Sequence, residues 1–328
     1  MWNFTPILKQ TIWGGDRILR FKGLSSPSET IGESWELSSV PGSESVVADG
    51  PEAGLTLTAL LDKYGPAIVG ERNHKRYGNR FPLLIKFIDA CQNLSVQVHP
   101  GDELARKMGQ ENGKTEMWFV VDAGKNGHLA SGFREPVNPG DYEALLEDGS
   151  IEEKLNVLSV QDGDAFYIPA GRVHSIGAGT FLVEIQQTSD ATFRIYDYHR
   201  KGPDGRERQL HTEQARQAID FNDIHGAPIS YVPHWDIPVN LVKSPYFTVN
   251  ILNLGHEVMR DYSELDSFVA LVVTEGRGEL QCGADKVSDV PTSMKIKKGD
   301  TILVSASAKG LTIVPESGPL TILETFVA

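Results

Sequence analysis

Short apolar blocks recur along most of this chain, punctuated by Gly, Pro, Asn and Asp. PLLIKFIDA (82–90), LSVQVHP (94–100), TEMWFVVDA (115–123), DAFYIPA (164–170), TFLVEIQQT (180–188) and TFRIYDYH (192–199) read as strands. So do FTVNILNL (247–254), SFVALVVTEG (267–276), GELQCG (278–283), SMKIKKGDTILVS (293–305), LTIVPE (311–316) and LTILETFVA (320–328). Helical signals are few and short: LTALLDKYG (57–65), GDELARKMG (101–109), NPGDYEALLEDGSIEEKLN (138–156) and LHTEQARQAIDF (210–221), the last with Thr212 as N-cap. Many short strands between turn residues predict a mainly β chain built as a sandwich or barrel.

An internal repeat refines that expectation. VQDGDAFYIPAGRVHSI (160–176) resembles IKKGDTILVSASAKGLTI (296–313), and superposing Gly163-Asp164 on Gly299-Asp300 sets His174 opposite Gly310. The reading is two related β-barrels, the first equipped for chemistry and the second stripped of it. The Pro-punctuated stretch HGAPISYVPHWDIPVN (225–240) suits a linker. The expected division is a catalytic barrel over 1–225, a linker over 226–240 and a degenerate barrel over 241–328.

Charge and composition narrow the function. The 328 residues carry 31 Lys and Arg against 44 Asp and Glu, a net charge of −13. That balance argues against nucleic acid, which selects a basic face. No apolar run approaches a membrane span, and MWNFTPILKQ lacks the basic and apolar regions of a leader. Cys91 and Cys282 form no motif and read as thiols of a reducing cytoplasm. In so acidic a chain, a small anion would be held only where local cations overrule the global field.

The chemistry gathers in three places. Gln97 and His99 alternate in LSVQVHP and share one face of a strand. Lys114, Glu116 and Trp118 alternate in GKTEMWFVV in the same way. A buried strand normally fills such a face with aliphatic residues; polar groups there need partners, and a metal would satisfy several together. GDAFYIPAGRVH then places Gly163, Pro169, Gly171 and His174 at the spacing of the second cupin motif. Two imidazoles, a carboxylate and an amide oxygen suit one Zn²⁺, and would also accept Mn²⁺, Fe²⁺ or Co²⁺. Glu184, Gln186 and Thr188 alternate on a further strand, Arg194 and Tyr196 on another, and Lys86 interrupts an apolar run. Arg and Lys inside strands suggest an anion such as phosphate.

QVHP, GKTEMW, IPAGRVHSIGAG and SDATFRIYDYHR, in that order, resemble the class I, zinc-dependent mannose-6-phosphate isomerases in their short bacterial form. The likeness starts at Trp13-Gly14-Gly15 and GESWELS (32–38) and runs to about residue 200. It implies two cupin-type (jelly-roll) barrels with a few short helices. It implies one zinc on the residues matching Gln97, His99, Glu116 and His174, and a catalytic arginine at Arg194. Lys86 and Lys114 would line the site, with Glu184 and Asp190 as its acids and Trp13 as a substrate-facing wall. The implied reaction interconverts mannose 6-phosphate and fructose 6-phosphate through a cis-enediol, with Lys114, Glu184 and Asp190 as candidates for proton transfer. The large helical insertion of longer family members is missing, and any phosphate-binding residue it supplies cannot be carried over.

Two other readings compete. An iron-dependent cupin oxygenase would normally show His-x-His where this chain has Gln97-Val98-His99, and it leaves Lys114 and Arg194 unexplained. A non-catalytic sugar-phosphate-binding cupin would not need the metal set, Lys114 and Arg194 together. His128, His199 and His211 read as surface or loop residues, Trp118 as core or site wall, and the acidic stretch 141–154 as a solvated helix face.

Overall fold

The computed structural model describes residues 1–25, 30–202, 204–288 and 291–328. Two jelly rolls account for most of them. In the first, a six-stranded sheet runs in the order Ala165–Ile168, Glu116–Asp122, Phe181–Gln187, Leu83–Asp89, Ile31–Leu37, Ile7–Gly15. A five-stranded sheet of Leu155–Ser159, His128–Phe133, His174–Ile176, Val96–Val98 and Phe193–Tyr196 closes it. Neighbours pair antiparallel throughout.

The second jelly roll repeats this order. Val239–Lys243, Thr248–Leu254, Leu320–Phe326, Val269–Glu275 and Thr301–Val304 form one sheet, faced by Val258–Asp261, Gly310–Pro315, Arg277–Cys282 and Thr292–Lys297. The first sheet does not end in sequence order. Trp2 and Asn3 pair with Leu303 and Ile302, so strand Trp2–Thr5 extends the sheet of the second barrel, and Val46–Val47 extends it further. The start of the chain thus lies on the far side of the expected 226–240 linker.

The repeated turn is the same in both barrels. Gly163 and Gly299 take φ of 89° and 90°, a left-handed conformation that glycine adopts without steric cost. Asp164 accepts from the Gln161 N–H at 2.8 Å, and Asp300 accepts from the Lys297 N–H at 2.9 Å. Beyond the turn the returning strand of the first barrel starts on a lumen-facing residue, His174, whereas that of the second starts one residue earlier, at Gly310. The lumen-facing equivalent of His174 is therefore Leu311, not Gly310: His174 lies across from Gln97 and Leu311 across from Arg260. The burial pattern agrees, with Leu311 and Ile313 buried and Gly310 and Thr312 only half-buried.

Both faces of the large sheets are buried, which explains their weak polar–apolar alternation. Ile85, Phe87, Met117, Phe119, Val183 and Ile185 point away from the first lumen and pack with Val249, Ile251, Ala270, Val272, Leu303 and Leu323 of the second barrel in one core. Ile88, Trp118, Val120, Phe166, Ile168 and Leu182 fill the first barrel itself. Helices Leu57–Tyr64, Pro66–Val69 and Glu71–Tyr77 lean on the shared core through Leu57, Leu60, Leu61, Ile68 and Val69.

Four helix expectations meet the structure unevenly. Leu57–Tyr64 and Asp102–Lys107 form as read, and Thr56 caps the first by accepting from the Ala59 N–H. The 138–156 pattern breaks into Tyr142–Glu147 and Ile151–Lys154, because Gly149 turns left-handed between them and Leu155 starts a strand. Thr212 is the first helical residue rather than the cap, a place taken by His211. Helices Arg17–Lys22, Pro66–Val69 and Glu71–Tyr77 were not legible. Among the described residues no helix is long and apolar enough to cross a membrane.

Candidate metal centre and active-site cavity

Strand Val96–Val98 sends Val96 and Val98 into the apolar layer beneath the five-stranded sheet, which leaves Gln97 facing the lumen. The chain continues to His99, whose carbonyl accepts from the Gly171 N–H at 3.0 Å. The Lys114 N–H donates to the Pro100 carbonyl at 3.0 Å, so the approach to strand Glu116–Asp122 runs beside the same loop. Asp102 fixes that approach by accepting from Gly113 N–H at 2.9 Å and Gln187 Nε2 at 3.0 Å. Gly113 has no room for a side chain: a Cβ would fall 2.6 Å from the Asp102 nitrogen.

These connections bring His99, Glu116 and His174 together, with one ligand atom from each inside a 4.8 Å spread. Nε2 of His99 and Nε2 of His174 are 3.1 Å apart, and each lies 3.4 Å from a different Glu116 oxygen. The Arg172 carbonyl lies 2.8 Å from Nδ1 of His174. A carbonyl only accepts, so Nδ1 carries the proton and the Nε2 lone pair faces inward. All three residues are essentially without solvent contact. Burial is the main force that lowers the His174 pKa to about 3 and holds His99 well below its ordinary value, with Lys114 adding to both. Burial also raises Glu116 to about 7, reinforced by Glu184 and opposed by Lys114. Among the described residues neither Glu116 oxygen has a hydrogen bond of good geometry; the Lys114 ammonium stands 3.1 Å from one of them.

Two converging imidazole nitrogens and an unsatisfied carboxylate, all buried, fit a divalent cation. Gln97 lies directly across the strand pair from His174 and lines the cavity beside the cluster.

The cavity, of about 110 Å³, is bounded by Trp13, Glu33, Lys86, Ile88, Leu94, Ser95, Gln97, Lys114, Glu184, Thr192, Arg194 and Arg208. Lys86 and Glu184 are cross-strand neighbours joined at 2.9 Å, and the indole N–H of Trp118 donates to the second Glu184 oxygen at 3.1 Å. Burial alone would push Glu184 up; Lys86, Lys114 and the Trp118 bond outweigh it and bring the carboxyl down to about 2. Lys86 likewise loses by burial and gains more from Glu184 and Glu33, so it stays cationic.

Arg194 lies across from Gln97, half-buried, with its Nε unpartnered among the described residues. Trp13 is buried in the wall. Asp190 departs from expectation: it is exposed and does not line the cavity, because it sits on the turn before strand Phe193–Tyr196. Glu33, Ser95, Thr192 and Arg208 line the cavity without having been singled out. Glu33 alternates with Trp35 in GESWELS, a period that could have exposed it; Arg208 lies in a polar loop with no periodic signal. His211, read as a loop residue, accepts from the Arg194 N–H at 3.2 Å and so props the strand that carries Arg194.

Comparison with known proteins agrees with this architecture. Residues 1–126 match the type I phosphomannose isomerase catalytic domain. Mannose-6-phosphate isomerase ManA of Bacillus subtilis is 34% identical over 307 residues, which cover 92% of this chain and 91% of that protein. The mannose-6-phosphate isomerase of Streptococcus mutans is 33% identical over 312 residues, 92% of this chain and 91% of its own. The crystal structure of the Bacillus subtilis mannose 6-phosphate isomerase superposes with a TM-score of 0.83 at 29% identity, covering 99% of this chain and 98% of that one. Two jelly rolls in the same order, a His–Glu–His cluster in the first lumen and similarity over nine-tenths of the sequence have one explanation: the chain belongs to the type I mannose-6-phosphate isomerase family.

Proposed function

We propose that this chain interconverts mannose 6-phosphate and fructose 6-phosphate, with one zinc ion held by Gln97, His99, Glu116 and His174. The observation that carries the reading is the buried His99–Glu116–His174 cluster, which meets at Lys114 a cavity whose wall mixes Lys86, Lys114, Glu184 and Arg194. Zinc is favoured over the other divalent ions by a buried set of two imidazoles, a carboxylate and an amide without thiolates, which suits a Lewis-acid role. Both cysteines are free, in keeping with a cytoplasmic setting.

Aldose–ketose isomerisation moves a proton between adjacent carbons, and its barrier is the weak acidity of a C–H beside a carbonyl. When bound, the metal supplies Lewis-acid stabilisation of the negative charge that develops on the two sugar oxygens. Arg194 adds a guanidinium beside Gln97, where the same charge develops. Glu184 presents a carboxylate to the cavity, a base that can take the proton from one carbon and return it to the next, and Lys114 presents an ammonium that can give a proton to one sugar oxygen and recover one from the other. Lys86 and Trp118 hold Glu184 in place by two hydrogen bonds. Asp190, exposed on its turn, takes no part.

A coupled assay tests the reading. Mannose 6-phosphate is offered, and fructose 6-phosphate is carried by phosphoglucose isomerase and glucose-6-phosphate dehydrogenase to NADPH. Turnover is expected as purified, lost on chelation, restored by zinc and abolished in Arg194→Ala. No turnover by the zinc-loaded protein overturns the substrate assignment.

A further inference from the structure

Two lysines of the cavity are spent inside it: Lys86 on Glu184 at 2.9 Å and Lys114 on Glu116 at 3.1 Å. The outer wall is different. Arg208 borders the cavity beside Arg194 and Thr192. It grips Asp197 at two points, from Nε at 2.7 Å and from Nη2 at 2.6 Å. Arg200 donates to the same Asp197 at 2.5 Å and to the Asn93 carbonyl at 2.5 Å. Arg200 and Arg208 share the Asp197 carboxylate, while Arg194 donates from Nη1 to the Gln209 carbonyl at 2.8 Å and has no carboxylate partner among the described residues, so three guanidiniums and one carboxylate leave this wall two positive charges in a chain whose net charge is −13. Among the described residues Nη1 of Arg208 has no hydrogen-bond partner, and neither has Nε of Arg194. A surplus of two, half sheltered from water, matches a phosphate dianion better than a neutral hydroxymethyl group.

Position supports the same assignment. Arg194 is the cross-strand neighbour of Gln97 and stands at the metal end. Arg208 is near enough to act on Arg194 electrostatically and lines the same cavity from the loop between strand Phe193–Tyr196 and helix Thr212–Ala218, with no hydrogen bond or ion pair to the metal cluster among the described residues. A hexose with C1 and C2 at the metal end directs C6 outward. We propose that Arg208, held in place by Asp197, binds the phosphate at C6 and sets the preference of the site for phosphorylated over free hexose. The inference rests on the isomerase reading above and names the group that makes it specific.

Glucitol 6-phosphate and glucitol are the probes, because neither has a carbonyl to isomerise. Their binding to zinc-loaded protein is measured by titration calorimetry for the wild type, Arg208→Met and Arg208→Lys. Metal content and melting temperature are recorded for each. Loss of one charge-assisted phosphate contact predicts about a ten- to hundredfold weaker grip on glucitol 6-phosphate in Arg208→Met, with glucitol far less affected. Arg208→Lys falls between, since it keeps the charge but not the two-point grip on Asp197, and it decides the matter if the methionine variant does not fold. With mannose 6-phosphate, KM rises more than kcat falls. Arg208 variants that keep the full advantage of phosphate overturn the proposal. A wild type that binds glucitol as well as its phosphate instead overturns the substrate class on which it rests.

Discussion

Glu184 and Glu324 occupy the same position in two barrels. Each faces the lumen from the strand that pairs with both its large-sheet neighbours, across from Trp118 in the first barrel and Leu271 in the second. The surroundings diverge. Where Glu184 meets Lys86, Glu324 meets Asn250. By the same register, Gln97, His99, Glu116 and His174 become Arg260, Tyr262, Val269 and Leu311. Glu324 is fully buried, and Arg260 at 2.9 and 3.0 Å, Tyr262 at 2.6 Å and Asn250 at 2.8 Å satisfy both its oxygens. A guanidinium and a phenol thus stand where Gln97 and His99 stand in the first lumen.

Removing Arg260 leaves a buried carboxylate without its counter-charge. Arg260→Ala should cost about 3 kcal/mol, the low end for a broken buried pair, since a fifth of the arginine side chain stays exposed. The double change Arg260→Met with Glu324→Gln should recover much of that loss, because no charge remains to be compensated. Urea unfolding of the three proteins measures both effects. A single variant as stable as the wild type would show that the pair contributes nothing.

The register also fixes metal stoichiometry. The purified chain should hold one zinc, and His174→Ala should hold almost none, because Leu311 and Val269 offer the second lumen no donors. Zinc that binds only the native state at about a hundred times its Kd adds about 2.7 kcal/mol, so chelation should lower the melting temperature and zinc should restore it. Elemental analysis beside calorimetry checks this. Two zinc ions per chain, or a His174→Ala variant that keeps its metal, would contradict it.

Glu184 and Asp190, the two acids that the family resemblance puts at the site, should behave oppositely. Glu184→Gln keeps the shape and the Trp118 bond but loses the carboxylate, and kcat should fall about 10²- to 10⁴-fold, the usual worth of a positioned acid or base. Asp190→Asn changes an exposed turn and should leave kcat and KM near wild type. Steady-state kinetics on both variants, at matched zinc content, distinguishes them. Strong impairment of Asp190→Asn alone would reverse the assignment.

What the sequence made legible follows physical lines. Strands with β-branched runs between turn residues, such as Leu83–Asp89 and Phe181–Gln187, were readable, and so were polar residues that break a buried face, such as Gln97 and Glu116. Short edge strands such as Val46–Val47 carry too little pattern. The pairing of Trp2 with Leu303 depends on contacts 301 residues apart, which no local window contains. Leu311 is displaced from alignment with His174 by a one-residue shift of register along strand Gly310–Pro315, and only the ladder reveals such a slip. Arg208 reaches the cavity from a loop whose path is set by Asp197, a tertiary partner rather than a period.

Arg172 and Asp223 support the metal centre from outside. The guanidinium meets the carboxylate at 2.6 and 3.0 Å, both side chains are buried, and the Arg172 carbonyl orients His174. Burial raises the Asp223 pKa, and the hydrogen bond from Arg172 with the His225 N–H more than reverses this, so the net shift is downward. A depressed folded-state pKa contributes stability above the unfolded value, near pH 3.9, and that contribution disappears as pH falls through the lower folded value. Asp223→Asn should therefore be less stable by about 3–5 kcal/mol at neutral pH, with a gap that stays constant down to about pH 5 and narrows below pH 4. Because His174 loses a firmly held support, zinc affinity should drop about 10- to 100-fold in the same variant. Urea unfolding across pH and zinc titration against a chromophoric chelator give the two readouts. A gap that persists unchanged at pH 3 would mean that the ionised carboxylate is not what holds Arg172, while unchanged zinc affinity would free His174 from dependence on this pair.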